Sequence, residues 1–118
     1  MATFEVEQVT DAGSGVTLVA LAGELDLTNV DDLEDELETV SNGGPVVLDL
    51  SHLVFVDSAA LHRLFRMVRE RGTGGVAFVI EPTAPVAATL SIVELGRAAT
   101  VASTPDEALA ALDRARSR

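Results

Sequence analysis

Residues 46–64 read Val46-Val47-Leu48-Asp49-Leu50-Ser51-His52-Leu53-Val54-Phe55-Val56-Asp57-Ser58-Ala59-Ala60-Leu61-His62-Arg63-Leu64, and two periodicities meet inside them. Val46-Val47-Leu48, closed by Asp49 and Leu50, is a short apolar run of the kind a buried strand makes. Leu53-Val54-Phe55-Val56 is a second extended run, and it stops at Asp57-Ser58. Beyond that point Leu61, Leu64, Phe65 and Val68 recur at i, i+3, i+4 and i+7, the stripe of an amphipathic helix. Asp57 and Ser58 therefore stand where extended chain becomes helix. Both residue types accept hydrogen bonds from the unpaired N–H groups of a first helical turn, so a helix cap is the plainest account of them. A serine hydroxyl at the positive end of a helix is also a place where a phosphate is electrostatically tolerated.

Upstream, residues 3–9 alternate partially, with Phe4, Val6 and Gln8 against Glu5, Glu7 and Val9, which predicts a strand. Asp11-Ala12-Gly13-Ser14-Gly15 is a turn of hairpin length. The near-continuous apolar run Val16 to Ala22 then reads as a central strand, antiparallel to the first. Gly23-Glu24-Leu25-Asp26-Leu27-Thr28 leads to a helix that Thr28 can cap, with Asp31 and Asp32 well placed in its first turn. Val30, Leu33, Leu37 and Val40 form its apolar stripe, opposed by Asp32, Asp35, Glu36 and Glu38. Ser41-Asn42-Gly43-Gly44-Pro45 stops it.

Downstream, the helix that follows Ser58 runs to about Arg71. Arg63, Arg66, Arg69 and Arg71 lie off its stripe, and cations near a helix C-terminus complement its dipole. Gly72-Thr73-Gly74-Gly75 ends it, and Val76 to Ile80 is another buried strand. Glu81-Pro82-Thr83-Ala84-Pro85 is a loop into a short helix carrying Val86, Leu90 and Val93, followed by a short strand at Ala98 to Ala102. Thr104-Pro105-Asp106-Glu107 is a capping box with proline at the first helical position, and Leu109 and Leu112 bury the last helix. The order is β-β-α-β-α-β-α-β-α. After the opening hairpin each helix separates two strands, so the joined strands are crossover units and mostly parallel. The expectation is one α/β domain over residues 1–118, with its core at about 4–113.

Composition narrows the function. At 118 residues with 47% hydrophobic content the chain suits one packed core, and no apolar run approaches the length of a membrane span. The N-terminus has no basic region followed by an apolar one, and cysteine is absent, so a cytoplasmic location is expected. A net charge of -11 argues against nucleic acid and favours a basic partner surface. All eight basic residues are arginine, so a Walker A loop and lysine Schiff-base chemistry are excluded.

A catalytic reading fares poorly. Ser58 and His62 are four apart on one helix, but no Gly-x-Ser-x-Gly elbow or orienting third residue accompanies them. Two histidines, His52 and His62, without cysteine match no usual ligand spacing, and Asp49 and Asp57 read as a strand-end acid and a helix cap. The chain is thus expected to be a binding module rather than an enzyme, with no cofactor or metal.

Leu48-Asp49-Leu50-Ser51 followed by Phe55-Val56-Asp57-Ser58 resembles the signature of the STAS domain, and within it that of bacterial anti-sigma factor antagonists. Gly23-Glu24-Leu25-Asp26 is similar to a second family pattern, so the resemblance covers roughly residues 4–113. It implies the STAS fold, a small mixed sheet with about four helices packed largely on one side. It implies that Ser58 is phosphorylated by an anti-sigma factor that is itself a serine kinase and binds the ATP. It places an acid at Asp26 close to that serine. Asp57, Ser58 and Leu61 match the motif, whereas Ala59 and Ala60 replace a hydroxyl residue and a glycine, Ala60 setting a methyl group beside the phosphosite. The partner surface implied is Asp26, Leu27, Thr28, Asp57, Ser58, Ala59, His62 and Arg63. A phosphatase would reset such a switch. The alternative within the same resemblance is an unphosphorylated scaffold or a subunit of a lipid-transport complex.

Overall fold

A computed structural model describes residues 4–11, 15–41, 44–72, 74–87 and 100–116. Strand β1 (Phe4–Asp11) pairs antiparallel with β2 (Val16–Leu25), from Phe4 opposite Gly23 to Asp11 opposite Val16. Strands β3 (Val46–Val56), β4 (Val76–Val79) and β5 (Thr100–Ala102) follow, each parallel to the one before. The sheet order is β1-β2-β3-β4-β5, the mixed sheet that the hairpin and the crossovers predict. Helices α1 (Val30–Ser41) and α2 (Ser58–Arg71) fill the second and third connections, and α3 (Pro105–Arg116) closes the chain. The short helix expected from Val86 onward lies largely outside the described residues, as do Ala12 to Ser14 of the hairpin turn and Ala98 and Ala99. Val86 and Ala87 are buried in turns.

Both faces of the sheet are used. Val30, Leu33 and Leu37 of α1 and Ala60, Leu64 and Met67 of α2 pack on Val19, Leu21, Leu25, Leu48, Leu50, Leu53 and Phe78. Ala108 and Leu112 of α3 pack on the other face, against Val16, Val47, Ala77 and Val79. A side chain such as Leu64, fully removed from water, contributes about 1.5–3 kcal/mol by transfer alone. The capping box of α3 forms: the Glu107 N–H donates to Thr104 Oγ1 at 3.2 Å, and Glu107 Oε2 accepts from the Ser103 N–H at 3.2 Å.

β3 departs from the sequence reading. Its two apolar runs are one strand of 11 residues, so Asp49 lies inside it rather than at an end. Asp49 Oδ1 accepts the Ser51 N–H at 2.9 Å. The strand continues because β2 stays beside it, although β4 stops level with Asp49. The register with β2 slips twice, once between Ala20 and Ala22 and again between Gly23 and Glu24. At each slip β3 carries one more residue than β2, a bulge that reverses which face the next side chain meets. Leu53 and Val56, three positions apart, are both buried as a result, while Val54 and Phe55 both face out. β2 likewise runs on to Leu25, through the Gly-Glu-Leu that reads as loop in the sequence.

The arginines of α2 do more than complement its dipole. Arg63 Nε donates to Glu34 at 2.8 Å and its guanidinium also pairs with Asp31, both on α1. Arg66 reaches Glu34 at 3.6 Å and Glu70 at 3.4 Å. Arg71 meets Glu38 at 3.0 Å and donates to the Gly44 carbonyl at 2.7 Å. The acidic face of α1 is therefore latched to the basic face of α2. A groove of about 650 Å³ opens beside Glu38, Met67 and Arg71, at the sheet end opposite Ser58. α2 ends at Gly72, whose φ of 75° lies in the left-handed region glycine favours.

Candidate functional site

The parallel pairing of β2 and β3 brings their C-terminal ends together, Leu25 opposite Val56. The two loops that leave these strands, 26–29 and 57–58, therefore share one corner, the usual place for sites in sheets of crossover units. The Asp57 N–H extends the pairing by donating to the Leu25 carbonyl at 3.1 Å. The Asp57 carboxylate then bonds both loops. Oδ1 accepts the Ala60 N–H at 2.8 Å, capping α2, and Oδ2 accepts the Leu27 N–H at 3.3 Å. The cap that the sequence predicts is present, and it is also a clasp.

The 26–29 loop is organised from within. Asp26 Oδ1 accepts from the Thr28 N–H at 2.8 Å and from the Thr28 hydroxyl at 2.6 Å. The Thr28 hydroxyl is thereby turned back to Asp26 instead of capping α1, which corrects the sequence expectation. Buried Asn29 precedes the helix instead: its Oδ1 accepts the Asp26 N–H at 2.9 Å and its Nδ2 donates to the Glu24 carbonyl at 2.9 Å. Asn29 is a positioning residue that the sequence reading missed, although asparagine just before a helix is itself a cap signal. The hydrogen bonds from Thr28 hold the Asp26 carboxyl below the usual carboxylate range.

Ser58 is the first residue of α2 and is exposed, and its hydroxyl has no hydrogen-bond partner among the described residues. It follows Asp57, while Asp26 precedes Leu27, so the two lie on either side of the Leu27–Asp57 bond. Ala59 is half-buried. His62 is exposed one turn along the same helix. Arg63 is placed differently. Glu34 first, and then Asp31, hold its guanidinium against α1 and raise its pKa above the ordinary arginine value. Of the sequence-predicted set, the fold thus gathers Asp26, Leu27, Thr28, Asp57 and Ser58 at one corner, with Ala59 and His62 on the adjoining turn. Ala60, unlike Ser58, is fully buried and belongs to the same core cluster as Leu64.

Chemically the corner offers an accessible hydroxyl and two carboxylates at the positive end of α2. No group of three His, Cys, Asp or Glu among the described residues could hold a metal ion, and no described helix is long and apolar enough to cross a membrane. The sequence reading also overlooked Val54 and Phe55, exposed near the end of β3, because an apolar run in a strand reads as buried and the bulge leaves no mark in composition.

Residues 5–108 match the family description of the STAS domain. Among solved structures, an anti-sigma factor antagonist from Mycobacterium paratuberculosis is similar with a TM-score of 0.78 at 24% identity, over 94% of this chain and 95% of that one. The anti-sigma factor antagonist SpoIIAA in its unphosphorylated form is similar with a TM-score of 0.62 at 21% identity, over 98% and 100%. The Bacillus cell fate determinant SpoIIAA in its phosphorylated form gives 0.57 at 23% identity, over 98% and 100%. At these identities the likeness is one of fold. No curated protein sequence matches.

Proposed function

The chain belongs to the STAS domain family, and from that premise we propose that it is an anti-sigma factor antagonist switched by phosphorylation of Ser58. Unphosphorylated, it binds an anti-sigma factor that is also a serine kinase, and a sigma factor is released. The observation that carries this reading is the exposed Ser58 at the head of α2, on a corner that Asp57 fixes with hydrogen bonds to both loops. Solved structures of similar fold include anti-sigma factor antagonists, one of them in both phosphorylated and unphosphorylated forms, which supports the same reading.

The kinase holds the ATP in this scheme. The Ser58 Oγ–phosphorus bond forms as the bond from the γ-phosphorus to the bridging oxygen breaks. ADP leaves, and the hydroxyl proton passes to a base on the kinase. This chain is the substrate and needs no catalytic group, cofactor or metal of its own. The phosphate adds about -1.5 to -2 charges at neutral pH. The N–H groups of α2 favour that charge, while Asp57 and Asp26 oppose it, so the fold itself changes little. A docked partner feels it strongly, because a neutral hydroxyl ready for burial becomes a dianion that needs solvation. A phosphatase that hydrolyses the ester would restore the binding form.

Mass spectrometry after incubation with ATP and each anti-sigma kinase of its own organism tests the reading. One phosphate is expected on Ser58 and none on Ser58→Ala, which still binds, while Ser58→Asp binds more weakly. A complex indifferent to Ser58→Asp, or neither phosphate nor complex with any kinase, sinks the proposal.

A further inference from the structure

Leu27, Val54 and Phe55 are the large apolar side chains that stand exposed among the described residues, at 64%, 62% and 46%. We infer that they form an apolar docking patch, bordering Ser58, for a partner protein whose own apolar contact is ringed by arginine or lysine. The inference rests on the switch proposed above and names the surface that supplies its affinity.

The placement comes from the backbone. Glu24 is opposite Phe55 and Leu25 opposite Val56, so the end of β3 and the loop after β2 share one corner of the sheet. Leu27 is tied there through its N–H to Asp57, two residues beyond Phe55. The exposure is built in by the register. In a strand without the bulge Phe55, two positions after Leu53, would share its inward face. The second bulge turns Phe55 to solvent and returns Val56 to the core. Exposed aromatic and aliphatic side chains grouped beside a regulated hydroxyl are what a protein interface uses as anchors.

The border of the patch selects the occupant. Glu24 is exposed, Asp26 is held ionised by Thr28, and Asp57 is fixed at the cap. Arg63, the nearest cation along α2, is drawn away to Glu34 and Asp31. The rim is therefore acidic on a chain of net charge -11. A second copy would bring like charge against like charge, whereas a basic-rimmed partner gains from every rim contact. The patch and Ser58 thus divide the work, apolar contact giving affinity and the hydroxyl at its border giving control.

Calorimetric titration of the full chain with the kinase that phosphorylates Ser58 tests this, using the double variant Val54→Thr/Phe55→Ser and, separately, Leu27→Ser. The expected result is a Kd weakened about tenfold or more by the double variant, the size seen when central aromatic anchors are truncated. Its circular dichroism should match the parent's, with the melting temperature lower by only a few degrees. Phosphorylation should slow at low kinase concentration and recover at high concentration. An unchanged Kd with Ser58 still phosphorylated overturns the patch and leaves the switch standing. A parent that no kinase binds or phosphorylates removes both. A parent that sediments as a dimer and is dispersed by the double variant makes the patch a self-interface and overturns the assignment. Should the double variant fail to fold, Leu27→Ser, on a loop outside the sheet, decides alone.

Discussion

Asp57 holds two loops with one carboxylate, and its removal should be felt in both. Asp57→Ala is expected to lower stability by about 0.5–2 kcal/mol, the range for losing a helix cap, as read by urea unfolding. Because Leu27 also loses its acceptor, hydrogen exchange at the Leu27 amide should accelerate as well. Asp26 gives a pH signature. Its carboxyl is held below its unfolded value by Thr28, so its contribution is fully present above the ordinary carboxylate range and is lost as pH falls through the depressed value. The melting temperature of the parent should therefore exceed that of Asp26→Asn at neutral pH, and the two curves should converge on acidification below about pH 4. Ala60→Gly, which restores the residue typical of the resembled motif, should cost about 1–2 kcal/mol in lost helix propensity and buried methyl. The proposed phosphorylation of Ser58 should be unaffected by it.

Among the elements, β3 separates what composition reveals from what it hides. Leu53→Ala should cost about 2–5 kcal/mol, since its side chain is fully buried. Phe55→Ser, two residues on in the same apolar run, should cost less, about 1 kcal/mol, because only about half of the side chain is covered. Denaturant unfolding of the two variants checks the contrast. The run Leu53 to Val56 looks uniform as sequence, and that is why the exposure of Phe55 was not legible. A bulge depends on how two strands pair, not on the residues of either alone. The helix start at Ser58, the Asp57 cap, the capping box of α3 and the hairpin-plus-crossover order were legible, because each rests on a local pattern. The pairing of α1 with α2 was not. Each charged face reads by itself as a solvated surface, and only the fold puts Glu34 opposite Arg63. Gly75 is similar: a side-chain carbon there would stand 2.7 Å from Arg71, a close approach that its place in a glycine run does not announce.

For the whole molecule, a charge of -11 favours encounter with basic partners, so association with the proposed kinase partner should slow about tenfold or more between low and high salt in stopped-flow mixing. The order of the sheet has a further consequence, in the time course of folding. Strands β1 to β5 lie side by side in the order in which the chain supplies them. Each strand therefore docks beside one already in place, and every closure after the hairpin spans a single connection. Loop-closure entropy rises slowly with length, so assembly by accretion at one edge keeps the contact order low for a sheet that is mostly parallel. The corner that carries Ser58 belongs to β2, β3 and the start of α2, and β5 is added two strands away from it. Its nucleus can thus form early and independently of the last strand, leaving the far edge of the sheet to exchange, fray and re-form without disturbing it.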